Sequence, residues 1–298
     1  MRTKLLFTCF LIITFTGTKL QAQDSSLLKM LNDAMGANAK PMYVTGTFKA
    51  LHLVNMQTIE GPANGVLNFE IQHRFGALNS GSYNFFGLDN ANLRLGLDYG
   101  ISDRLAVGIG RSSLAKTFDG YLKYKLFRQT DASEAMPISV SLLGTISNYT
   151  LHNTDKPYLN AKYRTVYTGQ LLLAKKFASF SIELTPTLLH YNLVPTQQDH
   201  NNIFALGIGG RLKLNNRMSL IGEYNYVPTG QLLTPGRHNS MSFAWEIETG
   251  GHVFQLVFSN SQSMIESQYI GQTTGSWGKG DIYFGFNISR VFNLKKHK

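Results

Sequence analysis

The chain is poor in cysteine, in charge and in long apolar runs. One of its 298 residues is cysteine, Cys9, so neither an intramolecular disulfide nor a cysteine-built metal site can form. Charged residues make up 15%, well below the ~25% of an average soluble domain. Disordered chains combine high charge with few aromatics, and coiled coils are dominated by Ala, Glu, Lys and Leu; neither composition is found here. Beyond the N-terminus no apolar run reaches the ~18 residues of a spanning helix. The eight histidines (52, 73, 152, 190, 200, 238, 252 and 297) show no metal-ligand spacing, so no metal or other cofactor is expected. No basic run is interleaved with aromatics, which argues against nucleic acid as a partner. What is abundant is aromatic residues at 12% and 28 glycines, on a chain of formal net charge +10.

The first 22 residues read as a secretory leader. Arg2 and Lys4 form a charged start, Leu5 to Phe15 an apolar stretch too short to span, and Lys19-Leu20-Gln21-Ala22-Gln23 a cleavage region. Cys9 lies inside that apolar stretch, too early for an acylation site. Residues 23–65 form a separate periplasmic or lumenal segment. Asp24 to Gly36 reads as a short helix, with Leu27, Leu28, Leu31, Ala34 and Met35 on one face. Met42 to Val54 has strand character.

From Val66 the pattern has period two, the signature of strands. Leu67, Phe69, Ile71, His73 and Phe75 alternate with Asn68, Glu70, Gln72 and Arg74. Met241, Phe243, Trp245 and Ile247 alternate with Ser242, Ala244, Glu246 and Glu248. A soluble sandwich alternates too. Three features favour a membrane barrel instead: a large apolar set with aromatics at strand ends, an opposite face mixing Gly, Ser, Asn and charge, and strands of about ten residues. The expected fold is all-β: a transmembrane antiparallel up-and-down β-barrel over residues 66–293, ending in a basic tail at 294–298. Twelve strands are predicted, at 66–75, 92–100, 104–113, 117–127, 137–147, 164–176, 180–190, 203–214, 217–227, 240–249, 252–260 and 281–292. Short turns and long links alternate between them, and both ends fall on the short-turn side. Counting Met42–Val54 as a stave would give an odd number. It is therefore expected to run along the lumen, extend the first strand, or dock at the periplasmic mouth.

Unpaired charge facing lipid is costly, so the charges of the polar face are expected in the lumen: Arg74, Arg94, Lys123, Lys125, Arg211 and Lys213, with Glu70, Asp98, Glu183, Glu223, Glu246 and Glu248. They could line a solute path with a weak anion preference, or form ion pairs that stiffen a closed lumen. Gly207-Ile208-Gly209-Gly210 and Gly108-Ile109-Gly110 lack the helix that a phosphate loop requires. They read as small lumen-facing residues that let other groups pass. His238 and Ser240, with Glu246 or Glu248, are the one hint of serine-hydrolase chemistry. His and Ser are ordinary at a loop end, so no catalytic site is expected.

The stretches Gly65-Val66-Leu67-Asn68-Phe69-Glu70-Ile71-Gln72-His73-Arg74-Phe75-Gly76, Asn92 to Arg104 and Glu248 to Leu256 resemble an uncharacterised family of outer-membrane β-barrels from Bacteroidota-type Gram-negative bacteria, a domain of unknown function (5777). The resemblance runs from about Lys40 to Phe292. It implies a barrel in the outer membrane and no particular activity. The functions expected are a narrow or gated, porin-like channel for a small solute, or a non-conducting barrel that binds a periplasmic protein through residues 24–65. A lipid hydrolase comes third. Outer-membrane lipid, lipopolysaccharide and the barrel assembly machinery are the expected surroundings. Many such barrels end on an aromatic residue; here Phe292 is followed by six more residues, and the final strand Gly285 to Phe292 resembles that signal only loosely, since Arg290 interrupts the alternation.

Overall fold

In a computed structural model, residues 42–131, 136–151, 155–156, 158–232 and 235–295 are described. The leader expected over residues 1–22 and the helix expected over 24–36 lie outside them, as do 296–298 of the basic tail. Twelve antiparallel strands close into one barrel in which each pairs with its sequence neighbours and β1 pairs with β12. They are β1 (Val66–Ala77), β2 (Ala91–Gly100), β3 (Leu105–Ser112), β4 (Thr117–Phe127), β5 (Ser139–Tyr149), β6 (Thr165–Phe177), β7 (Phe180–Tyr191), β8 (Asn202–Lys213), β9 (Met218–Tyr226), β10 (Ser240–Thr249), β11 (His252–Ser259) and β12 (Tyr283–Asn293). Closure removes every sheet edge, the condition for β-structure in lipid. The seam runs from Val66↔Asn293 to Arg74↔Gly285, with an irregularity before Ala77↔Tyr283.

Period two becomes two faces. On β2 the outward residues Leu95, Leu97 and Tyr99 are exposed, while Arg94 and Asp98 are buried. On β10, Phe243 and Trp245 face out and Ser240, Ser242 and Glu246 face in. Such a continuous apolar exterior would be an aggregation liability in water and is a lipid-facing surface in a bilayer.

Short turns occupy one rim: 101–104, 178–179, 214–217 and 250–251. In outer-membrane barrels this is the periplasmic rim. The regular alternation of short and long links fails twice. Residues 113–116 make a short link on the long-loop rim, and 128–138 make a long one on the short-turn rim. The second has a structural reason. Its first residues clasp the incoming chain: Val44 N–H donates to the Gln129 carbonyl (2.8 Å), Asp131 N–H to the Met42 carbonyl (3.1 Å), and Arg128 lies 4.2 Å over the Tyr43 ring.

The strand character of Met42–Val54 does not become a strand. The segment makes only the single bridges Tyr43↔Thr130 and His52↔Gln57, because a closed barrel leaves it no edge to join. Residues 47–59 run inside the barrel instead and are almost all buried. From the other rim, the link between β11 and β12 also folds inward. Its residues 263–271, including the single-turn helix α1 (Glu266–Tyr269), are buried. Phe48, Leu53, Val54, Met56 and Ile59 of the first segment share one apolar cluster with Tyr269 and Ile270 of the second.

Candidate functional site

The lumen is the site, and residues 47–60 fill its periplasmic half. They form a tight hairpin: Leu53 N–H donates to the Met56 carbonyl and Thr58 N–H to the Leu51 carbonyl, both at 2.8 Å. Glu60 ties the entering and leaving legs together, its Oε1 accepting from the backbone N–H of Thr47 (2.9 Å) and Phe48 (3.3 Å).

A hairpin without strand neighbours leaves its backbone groups unpaired, and a buried unpaired N–H or C=O costs about 1–3 kcal/mol. Side chains of the wall supply the missing partners. At the tip, Val54, Asn55 and Met56 all direct their N–H groups to the Glu223 carboxylate on β9, at 3.0 Å. Successive N–H groups around one anion form a nest. On β7, Glu183 accepts from Ile59 N–H at 2.6 Å. Lys123 Nζ on β4 donates to the carbonyls of Thr58 (2.8 Å) and Glu60 (2.9 Å). Arg74 on β1 donates to Asn55 Oδ1 (2.9 Å) and to Asn287 Oδ1 (2.8 Å), and Asn287 Nδ2 donates to the Val54 carbonyl (2.9 Å). Asn55 Nδ2 donates to Ser242 Oγ at 3.1 Å.

His52 and Glu70 form an ion pair on the lumen axis side of β1, with His52 Nδ1 2.7 Å from Glu70 Oε2. Burial pulls the His52 pKa down. The Glu70 charge and hydrogen bond outweigh it and raise the pKa above 6.5, aided by Asp98 and opposed by Arg94. In the opposite segment burial pushes the Glu266 carboxyl up, and neighbouring Asp119 adds to it.

Arg94, Asp98, Glu246 and Arg211, the remaining lumen-facing charges expected from the sequence, bind the wall rather than the hairpin. Arg94 pairs with Asp119 on β4 (2.5 Å) and donates to Gln72 Oε1 (3.2 Å). Asp98 accepts from Asn68 and from the Tyr121 hydroxyl, both at 2.9 Å. Arg211 pairs with Glu246 (2.7 Å) and Glu248 (2.6 Å), and Lys49 of the entering chain also reaches Glu248 (2.9 Å). Lys213 is a correction. It shares the inward side of β8 with Arg211 but stands exposed at the rim, because the strand runs past the mouth there.

The balance of charge is a second correction. Among the described residues the buried wall charges are four cations (Arg74, Arg94, Lys123, Arg211) and six acids (Glu70, Asp98, Asp119, Glu183, Glu223, Glu246). The basic excess of the chain sits outside, for example in Arg104, Lys213, Arg217, Arg290 and Lys295, all exposed at the short-turn rim. This composition gives no support to the weak anion preference expected from the sequence.

The hydrolase hint does not assemble. Ser240 is buried at the start of β10 and its Oγ accepts from Asn225 Nδ2 (3.1 Å), while His238 is exposed outside the strand. Glu246 lies six residues down the strand, roughly 20 Å away at ~3.3 Å per residue.

Sequence reasoning passed over His52 and Asp119. Asp119 had a signal, since it falls on the inward parity of β4 with Tyr121 and Lys123. His52 had none, because only the fold brings the hairpin beside β1.

The geometry defines a class: a twelve-stranded transmembrane β-barrel with its lumen occupied from both ends by its own chain. The chain belongs to the family described as membrane bound beta barrel domain (DUF5777), which it matches over residues 48–292. It is accordingly a barrel of the outer membrane. The family match begins within the hairpin, so the hairpin and the barrel are matched together. Among solved structures it is similar to the NanC porin (10% identity, covering 77% of this chain and 100% of that one, TM-score 0.46). It is also similar to an outer membrane channel from Pseudomonas putida F1 (13%, 78% and 97%, 0.44) and to the outer membrane protein Omp33 of Acinetobacter baumannii (9%, 78% and 100%, 0.39). No curated protein matches the chain.

Proposed function

We propose that this protein is a gated outer-membrane channel for a small solute, closed at rest by its own N-terminal hairpin. The observation that carries this reading is how the hairpin is held. Its backbone is bound by charged and amide side chains from β4, β7, β9 and β12, and its Asn55 side chain by Arg74 of β1 and the Ser242 hydroxyl of β10. Such groups can be rehydrated when the hairpin leaves, while the apolar contacts of Phe48, Leu53, Val54, Met56 and Ile59 must be given up at a transfer cost. The hairpin enters from the short-turn rim, so a pull from the periplasm acts along its axis. With six buried acids against four buried cations on the wall among the described residues, the opened path favours cations.

Planar-bilayer conductance tests this. The full chain is expected to be silent or to open rarely. Deletion of residues 24–60, combined with replacement of the inward-folded residues 263–271 by a short polar turn, is expected to give steady steps with a reversal potential on the cation side. An Asn55→Cys/Ser242→Cys disulfide is expected to abolish openings until it is reduced. Silence of the truncated protein, shown to be folded by its resistance to unfolding in cold detergent, overturns the channel. It would favour a non-conducting barrel that offers its N-terminal segment to a periplasmic partner.

A further inference from the structure

At the long-loop end, away from the hairpin, the barrel holds a separate cavity of about 350 Å³. This is within the size range of small-molecule sites. Its wall is apolar, formed by Val166, Leu193, Val194, Ile203 and Leu232 from the outer ends of the strands and the loops above them. Three side chains able to carry positive charge, Lys156, His200 and Arg237, line it as well. The lining also holds one acid, Asp199, which accepts from the N–H (3.2 Å) and hydroxyl (2.9 Å) of Thr196 and offsets one of these positive charges.

The floor is the inward-folded segment. Ser267, Gln268 and Gln272 line the cavity, and the segment is pinned there by a Ser147–Ser267 hydroxyl contact (2.8 Å) and by the Tyr191 hydroxyl, which donates to the Ser267 carbonyl. Gln268 is buried; its Nε2 donates to Thr117 Oγ1 at 2.9 Å, but its Oε1 has no hydrogen-bond partner. A buried acceptor without a donor is uncommon in a settled core; an ionised acid has no donor to offer it, so the anionic group of a ligand must point away from this floor, toward the cations.

We infer that this cavity binds a small amphiphilic acid, its compact apolar body against Val166, Val194 and Ile203 and its anionic group toward Lys156 and Arg237. An apolar wall with convergent cations selects such a ligand over sugars, which lack apolar bulk, and over neutral hydrocarbons, which leave the cations unused. This site lies on the far side of the barrel from the hairpin and does not depend on whether the pore conducts.

Calorimetry on the full chain in lipid nanodiscs tests it, with 3-cyclohexylpropionate as probe and its primary amide as the neutral comparison. Saturable one-site binding of the acid is expected, with the amide at least tenfold weaker. The Lys156→Gln/Arg237→Gln double variant should remove that difference, and Val194→Trp, which fills the cavity, should remove binding of both. Absence of saturable binding by the acid overturns the inference. So does acid binding unchanged in Val194→Trp, or an acid-to-amide ratio unchanged in the double variant, which stands as the deciding measurement if Val194→Trp fails to fold. Binding by a protein that never conducts would sink the channel and leave this site standing; conductance without binding would do the reverse.

Discussion

The Glu223 carboxylate receives three consecutive backbone N–H groups in a place where water cannot replace it. Glu223→Gln keeps the shape and removes the charge. Hydrogen bonds to a charged group contribute about 1.5–3 kcal/mol, so amide exchange at Val54, Asn55 and Met56 is expected to accelerate tenfold or more while exchange in the strands stays unchanged. Equal exchange in both proteins would show that the nest does not hold the tip. His52 adds a pH dependence whose sign follows from its pKa, raised above 6.5 by Glu70. A group with a raised folded pKa contributes most below its unfolded value and loses that contribution as pH rises through the folded one. The hairpin is thus held most firmly on the acid side of 6.5 and loosens at alkaline pH. Open probability in bilayers is expected to rise as the pH is raised above 6.5, and Glu70→Gln should flatten that profile.

At the scale of the element, β8 shows why glycine recurs on the inward face. A Cβ on Gly209 would stand 2.2 Å from Leu53 Cδ1 of the hairpin, and one on Gly207 would stand 2.1 Å from Thr185 Oγ1 and 2.8 Å from Met56 Cε. The wall is thinned where the hairpin passes. Gly209→Val is expected to leave the barrel folded and to crowd the hairpin by about 1–3 kcal/mol, the usual range for overpacking. Bilayer recordings should then show frequent openings of the full-length protein; unaltered silence would mean that Leu53 is absorbed elsewhere. These glycines lie inside a strand with no helix after them, so close approach explains them and phosphate binding does not.

Across the whole molecule, one inversion separates lipid from lumen. Leu95 is exposed on the outer face of β2 and Arg94, one residue earlier, is buried and paired inside. Near mid-bilayer a lipid-facing arginine costs about 2–4 kcal/mol in a barrel. Leu95→Arg is therefore expected to lower the unfolding free energy of the barrel in lipid by that amount, read from equilibrium denaturation with tryptophan emission. A negligible change would place this band outside the bilayer. The same inversion leaves the lumen acid-rich while the chain as a whole is basic at +10, so net charge says more about the rims than about the path between them.

The strands were legible because period two is a local property: adjacent residues on a strand must face opposite sides, and each side must suit its solvent. All twelve strands could be read that way, to within a few residues at their ends. So could the parity that turns Glu70, Arg74, Lys123 and Glu223 inward. The position of residues 47–60 was not legible, because Met42–Val54 has the residue types of a strand and only closure of the barrel denies it an edge. Nor could the sequence pair His52 with Glu70, or bring Glu223 to the N–H groups of residues 54–56, some 170 positions away in the chain. Local alternation, together with the aromatic strand ends and the ten-residue strand length, pointed to a barrel and to most of the charges that line its lumen. Tertiary structure decided that the lumen is filled, since the partners that satisfy a buried backbone are chosen by proximity in the fold.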